Sequence, residues 1–264
     1  MKRFSFYFLL NSMLFTAGLV HSQSVINIAT DVSTNYVSEW ANGSNGGSGF
    51  NPWGFDGYDA AVDTAEIADS TISAGNINSA GVNGGAFRIA SDNYLDVIRS
   101  FDSGRSLLAG DVFSFSMTLN YRNGNKGFDL RNAGNTLFNF NVGNDTYTFG
   151  GVNLSDTSGE NWGYVSDGVY HLNFEFTSHL SMSAKIQRTS SSGSESFEIP
   201  NVALTGPVDN FKFYVSDTDD GSPQNSLYFN NLNITSTVPE PSVYGLVLGF
   251  IAAILVRFHR TRAN

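Results

Sequence analysis

The sequence predicts an all-β fold, an antiparallel β-sandwich set between two terminal sorting segments. Three observations predict it. Apolar and polar residues alternate with period two along several stretches, Gly-, Asn- and Asp-rich turns separate those stretches, and no stretch carries a convincing helical period. The composition agrees: 22 Phe, 11 Tyr and 27 Gly, with abundant Asn and Ser, suit strands joined by polar turns. About 215 of the 264 residues lie between the sorting segments, enough for a core that needs no covalent staples.

The strongest alternation runs through Phe113, Phe115, Met117, Leu119 and Tyr121, with Ser114, Ser116, Thr118 and Asn120 between them. A second run sets Tyr170, Leu172, Phe174 and Phe176 against His171, Asn173 and Glu175. A third sets Leu180, Met182, Ala184 and Ile186 against Ser181, Ser183 and Lys185. One apolar face per run marks half-buried antiparallel strands. Weaker strands are expected at Val25–Ala29, Ala86–Ala90, Tyr94–Arg99, Gly127–Arg131, Thr136–Val142, Thr146–Phe149, Phe197–Ile199, Phe211–Val215 and Leu227–Ile234. In the last of these the apolar parity shifts between Phe229 and Leu232, which predicts a β-bulge.

Turns are expected at Asn123-Gly124-Asn125, Ala133-Gly134-Asn135, Ser192-Gly193 and Asp220-Gly221, and a short turn of helix at Ala60–Ala68. Residues 41–57 form a Gly/Asn/Ser-rich loop holding Phe50, Trp53 and Phe55. The sum is about a dozen strands at sandwich spacing. No fixed-period repeat or long linker divides them, so residues 23–235 read as one domain. The strand order and the loop from Asn42 to Phe50 resemble a concanavalin-A-like jelly roll, the fold of legume lectins and laminarinases. That resemblance implies architecture and transfers no site residue.

The N-terminus reads Met1-Lys2-Arg3, an apolar run from Phe4 to Val20, then His21 and Ser22. This is the pattern of a secretory signal peptide over residues 1–22, cleaved after Ser22. An uncleaved anchor is the alternative; Asn11 and Ser12 and the shortness of the run speak against it. The C-terminal segment, 236–264, holds Val238-Pro239-Glu240-Pro241-Ser242, an uncharged apolar run over 243–256, and Arg257, Arg260 and Arg262. Such a run just reaches across a thin bilayer, and the arginines keep its end cytoplasmic.

This tail resembles the PEP-CTERM sorting signal, with Pro239, Glu240 and Pro241 as its motif. The resemblance covers only about the last 27 residues. It implies processing by an exosortase, a membrane cysteine protease, after transient anchoring in the inner membrane of a Gram-negative-type bacterium. It also implies delivery to the cell surface or to a polysaccharide matrix. A plain C-terminal anchor is the alternative.

The net charge is −10. Lys2, Arg3, Arg257, Arg260 and Arg262 lie in the sorting segments; without them nine basic residues face 24 acidic ones, a balance of about −15. So acidic a domain, with no basic stripe, excludes nucleic-acid binding. The absence of cysteine excludes disulfides and thiolate chemistry, and export does not require either.

Candidate chemistry is sparse. The Glu-x-Asp-x-(x)-Glu strand motif of laminarinase-like enzymes is missing. The nearest carboxylates, Glu195 and Glu198, are three apart and so fall on opposite faces of a strand. There is no Gly-x-Ser-x-Gly elbow, and His171 and His179 have no second ligand at metal spacing. No catalytic residue is assigned and the chain reads as a non-enzyme. Asp217, Asp219 and Asp220, in Asp-x-Asp-Asp-Gly, form a candidate calcium loop, with Asp56 and Asp59 as partners from a second loop; Asp-rich turns without metal are the alternative. Trp53, Tyr58, Trp162 and Tyr164 lie in Gly/Asn-rich loops and are candidate glycan-stacking rings; packing on the core is the alternative, and the one expected for Trp40. The expected function is an exported glycan-binding or adhesive β-sandwich that meets extracellular polysaccharide. A divergent glycan-active enzyme and a ligand-free structural biofilm component are the rivals.

Overall fold

The computed structural model describes residues 23–36, 39–80, 84–144, 146–154, 162–218 and 222–239. The signal segment 1–22, Asp219, Asp220, Glu240, Pro241 and the apolar run 243–256 therefore lie outside the described residues. Asn27–Ser236 form one compact unit. No helix among the described residues is long and apolar enough to cross a membrane.

The strands in chain order are β1 (Gln23–Asp31), β2 (Gly54–Asp56), β3 (Thr64–Ala68), β4 (Ala86–Ala90), β5 (Tyr94–Ser100), β6 (Asp111–Thr118), β7 (Asn125–Asn132) and β8 (Asn135–Asn141). They continue as β9 (Thr148–Phe149), β10 (Val152–Asn153), β11 (Val169–Ser178), β12 (Ser181–Ser190), β13 (Gly193–Ala203), β14 (Asn210–Ser216) and β15 (Leu227–Pro239). They make two sheets. One runs β13-β12-β11-β6-β15-β4-β3, with β1 also paired to β15, and the other runs β10-β9-β8-β7-β14-β5-β2. Every pairing whose register is defined is antiparallel. The fold is thus an all-β antiparallel sandwich of two sheets.

The core is an inter-sheet layer of phenylalanines placed by the period-two pattern. Phe213 of β14 stacks on Phe229 of β15 at 3.8 Å between ring centroids, and Phe128 of β7 stacks on Phe174 of β11 at 5.6 Å. Phe113, Phe115, Met117, Leu172, Phe176, Met182, Ala184 and Ile186 complete the same layer, all buried. Two residues expected on apolar strand faces are exposed instead. Leu180 belongs to the tight turn between β11 and β12, and Tyr121 follows the end of β6.

Residues 60–68 are not helical throughout. Asp59 accepts from the amides of Val62 and Asp63 in a single turn, and the chain then enters β3 against β4. The bulge expected in β15 is present: its register against β6 shifts between Asn230 and Asn233, and Asn231 has φ of 58°. Ala133 and Gly134 both have positive φ, at 43° and 94°, in the two-residue turn that joins β7 to β8.

Candidate functional site

The tryptophans offered as stacking rings are core residues. Trp53 and Trp162 are each 1% exposed, and Trp40 is 2% exposed. The Gly-rich loop around Trp53 folds inward. Asp31 and Arg99 form a wholly buried ion pair, and the Arg99 Nε donates to the Asn51 carbonyl at 2.7 Å while its other end meets Asn45. The loop comes close enough because Gly46, Gly47 and Gly49 lack side chains; a Cβ there would lie 2.4–2.7 Å from backbone oxygens of Asn35, Thr30 and Ile28. Trp53 closes this cluster, donating its Nε1–H to the Tyr36 hydroxyl at 2.8 Å beneath the Arg99 guanidinium. Burial and the neighbouring Asp31 carboxylate push the Tyr36 phenol up to about 12. Trp162 packs on Tyr147, with the Arg188 guanidinium 5.2 Å over its ring.

Tyr58 and Tyr164 are exposed, at 40% and 53%. Tyr164 donates to Asn120 Oδ1 at 2.6 Å, and the Tyr58 ring lies edge-on to Phe55. The structure therefore separates the four expected rings into two buried and two exposed.

The calcium loop is only partly described. Asp217 adopts φ of 52°, and Asp219 and Asp220 lie outside the described residues. Asp59 is engaged in its own turn, accepting from Ala61 N at 2.9 Å. Among the described residues no group of three His, Asp or Glu side chains could hold a metal. Glu195 and Glu198 do fall on opposite faces of β13: Glu195 pairs with the buried Arg188, while Glu198 is exposed across from Lys185.

A concavity among the described residues lies elsewhere, on the outer face of the larger sheet. A groove of about 670 Å³ crosses β12, β11, β6 and β15. Its lining is Ser114, Ser116, His171, Asn173, Lys185, Gln187, Asn231 and Asn233, over the backbone of Phe115 and Leu172. The register sets these in two rows. Gln187 faces His171, which faces Ser116, which faces Asn230; Lys185 faces Asn173, which faces Ser114, which faces Asn233. Neighbouring strands are about 4.8 Å apart and the rows about 7 Å apart, so polar groups recur on a lattice roughly one sugar ring in pitch.

The bulge shapes one end of the groove. Asn230 is buried and its amide donates to the carbonyls of Ile77 and Gly85, which pins the loop before β4 to the sheet. Asn231 is the extra residue, and its side chain is thrown onto the surface beside Asn233. The loop over Ser70–Asn78 covers the next row of the sheet, beyond the groove lining. Gly75 lies on Thr118 and Val169, one row beyond Ser116 and His171, and its amide donates to Thr118 Oγ1 at 2.8 Å.

The groove's polar groups are largely uncommitted. Among the described residues the side chains of Ser114, Asn173, Asn231 and Asn233 make no hydrogen bond, although amides and hydroxyls are strong donors and acceptors. Ser116 Oγ and His171 Nδ1 lie 2.9 Å apart, and partial burial pulls the imidazole below its ordinary value, so His171 is neutral at pH 7. This Ser–His pair lacks the rest of a nucleophilic site. No carboxylate among the described residues accepts from the ring's other nitrogen, and the surrounding backbone amides sit in the β-ladder instead of converging on an oxyanion.

No family model and no curated protein matches the sequence. Solved structures with a similar strand arrangement include a protein of unknown function from Shewanella oneidensis MR-1, with TM-score 0.44 and 11% identity over 86% of this chain and 93% of that one. They also include the receptor-binding domain of botulinum neurotoxin D, with TM-score 0.36 and 14% identity over 75% of this chain and 49% of that one. A toad ovary galectin in complex with thio-digalactose has TM-score 0.28 and 17% identity over 53% of this chain and 98% of that one. Likenesses this loose transfer no ligand and no residue role to the chain.

Sequence reasoning missed the groove because it read Ser114, Ser116, Asn173 and Lys185 as solvated strand faces. The parity shift in β15 was the one signal that pointed to it.

Proposed function

We propose that the chain is an exported surface or matrix protein whose β-sandwich, of the concanavalin-A-like jelly-roll kind, binds polysaccharide through the groove on β12, β11, β6 and β15. The observation that carries this reading is the set of uncommitted side chains. Asn173, Asn231, Asn233 and Ser114 face one groove with no hydrogen-bond partner among the described residues. Water satisfies such groups cheaply, and a polyhydroxylated ligand replaces that water in kind at the same spacing. The lining contains no carboxylate, which favours binding over glycoside cleavage.

Export completes the proposal. Residues 1–22 act as signal peptide, and the tail holds the chain in the inner membrane until an exosortase acts near Pro239, Glu240 and Pro241. Deleting residues 238–264 should abolish processing and membrane retention; unchanged delivery would refute this part.

The binding claim is tested by retention of the full chain, kept in mild detergent, on immobilised polysaccharides. The expected result is retention that Asn173→Ala and Asn231→Gly each weaken. Retention on no polysaccharide would instead favour a structural component without a ligand.

A further inference from the structure

We infer that the groove's glycan carries an anionic substituent, a carboxylate or sulfate ester on the sugar ring, and that Lys185 selects it; the inference rests on the glycan reading of the groove.

Lys185 is the one formally charged side chain in the lining, and the fold leaves it unpaired. The other basic residues of the sandwich are all engaged. Arg88, Arg99, Arg105, Arg188 and Lys212 are in ion pairs with Glu66, Asp31, Asp111, Glu195 and Asp96. Lys126 donates to the Tyr121 and Asn123 carbonyls, Arg122 to Val142 O, and Arg131 to Gly134 O. Lys185, exposed in the middle of β12, makes no hydrogen bond or ion pair among the described residues. It sits beside Asn173 in the lower row of the polar lattice, so an ammonium and an amide face the same stretch of ligand.

Carboxylates do stand near it. Glu198 faces Lys185 across the β12–β13 ladder and Glu175 lies one row along β11, yet neither comes within 4.0 Å of its ammonium. Both lie outside the groove lining. The acidic remainder of the domain repels a densely charged polymer at long range. That repulsion is screened beyond about 8 Å at physiological salt, while a contact ion pair inside the groove is not. The combination fits a sparsely charged polysaccharide in which one anionic substituent reaches Lys185 and neighbouring hydroxyls meet Asn173, Asn231 and Asn233.

The test uses the full chain in mild detergent at about 0.15 M salt. The probes are an oligogalacturonate esterified on all but one ring, its full methyl ester, and a galactan oligomer of equal length with a single sulfate ester. The ester has the same skeleton without the charge, and the third probe distinguishes sulfate from carboxylate. An exposed ion pair predicts that an anionic probe binds about three- to five-fold more tightly than the ester. Lys185→Met should erase that preference, and Lys185→Arg should restore it. Preference for either anionic probe, lost in Lys185→Met, supports the inference and names the substituent. Equal binding of all three by the unaltered chain overturns it while the glycan reading stands. Binding of none overturns both.

Discussion

Replacing Asn231 with glycine separates the groove's ligand chemistry from the stability of the sandwich. Asn231 holds a left-handed backbone, φ 58°, because it is the extra residue of the bulge that β15 makes against β6. Most residues with a Cβ lose roughly 1–2 kcal/mol in that conformation; Asn tolerates it better, and Gly adopts it freely. The glycine variant relieves residual strain but gains disorder when unfolded, and the two terms nearly cancel, leaving stability within about 0.5 kcal/mol of the original. Asn231→Ala is the contrasting variant. It should lose about 1 kcal/mol, a fall of about 2–4 °C in Tm for a domain of this size. Both remove one side-chain amide that is free of partners among the described residues. If that amide bonds a glycan hydroxyl, its loss costs about 0.5–1.5 kcal/mol, or roughly two- to twelve-fold in affinity. Paired calorimetric titration and thermal melts are the assays. Asn231→Gly should weaken polysaccharide binding with an unchanged melt. Unaltered affinity in a folded Asn231→Gly variant would refute the reasoning.

Four further outcomes are expected. Ala133→Asn creates Asn-Gly in a turn that needs positive φ at both central residues, so denaturant melts should show stabilisation of a few tenths to about 1 kcal/mol. Arg99→Met strands the Asp31 carboxylate in the interior and should cost about 3–5 kcal/mol by the same melts. Gly127→Ala should destabilise by about 1–3 kcal/mol, because a Cβ would sit 2.2 Å from the Phe140 carbonyl and 2.5 Å from the Tyr214 hydroxyl. Burial holds the His171 imidazole below its ordinary value in the fold, so the unfolded chain takes up a proton there first as pH falls through about 6.5. Its contribution to stability is thus flat above that pH and is lost below it, and His171→Asn should remove that part of the pH dependence of Tm.

Most of the architecture was legible where burial is one-sided. The runs through Phe113–Leu119, Tyr170–Phe176 and Met182–Ile186 point their apolar residues inward as period two requires, and the β15 bulge was visible as a break in parity. Short strands such as β2 and β10 were not legible, because two or three residues carry no period. Trp53 shows a different limit. Its Gly-rich neighbourhood suggested exposure, but Gly46, Gly47 and Gly49 serve close approach to Asn35, Asp31 and Ala29 around a buried guanidinium. That role depends on Arg99, about 50 residues away in sequence, and local composition cannot reveal it. The groove was hidden for a related reason. Each of its residues lies on an ordinary polar strand face, and only the order β12-β11-β6-β15 brings them together.

Whether that assembled face is where the protein meets sugar is most directly tested by following amide and side-chain NMR signals during titration with the oligogalacturonate that keeps one free carboxylate and with its full methyl ester. The account predicts shifts confined to Ser114, Ser116, His171, Asn173, Lys185, Gln187, Asn231 and Asn233, with the Lys185 ammonium responding to the acid alone. Shifts centred on Tyr58 and Tyr164, or none in the groove at saturating ligand, would contradict it.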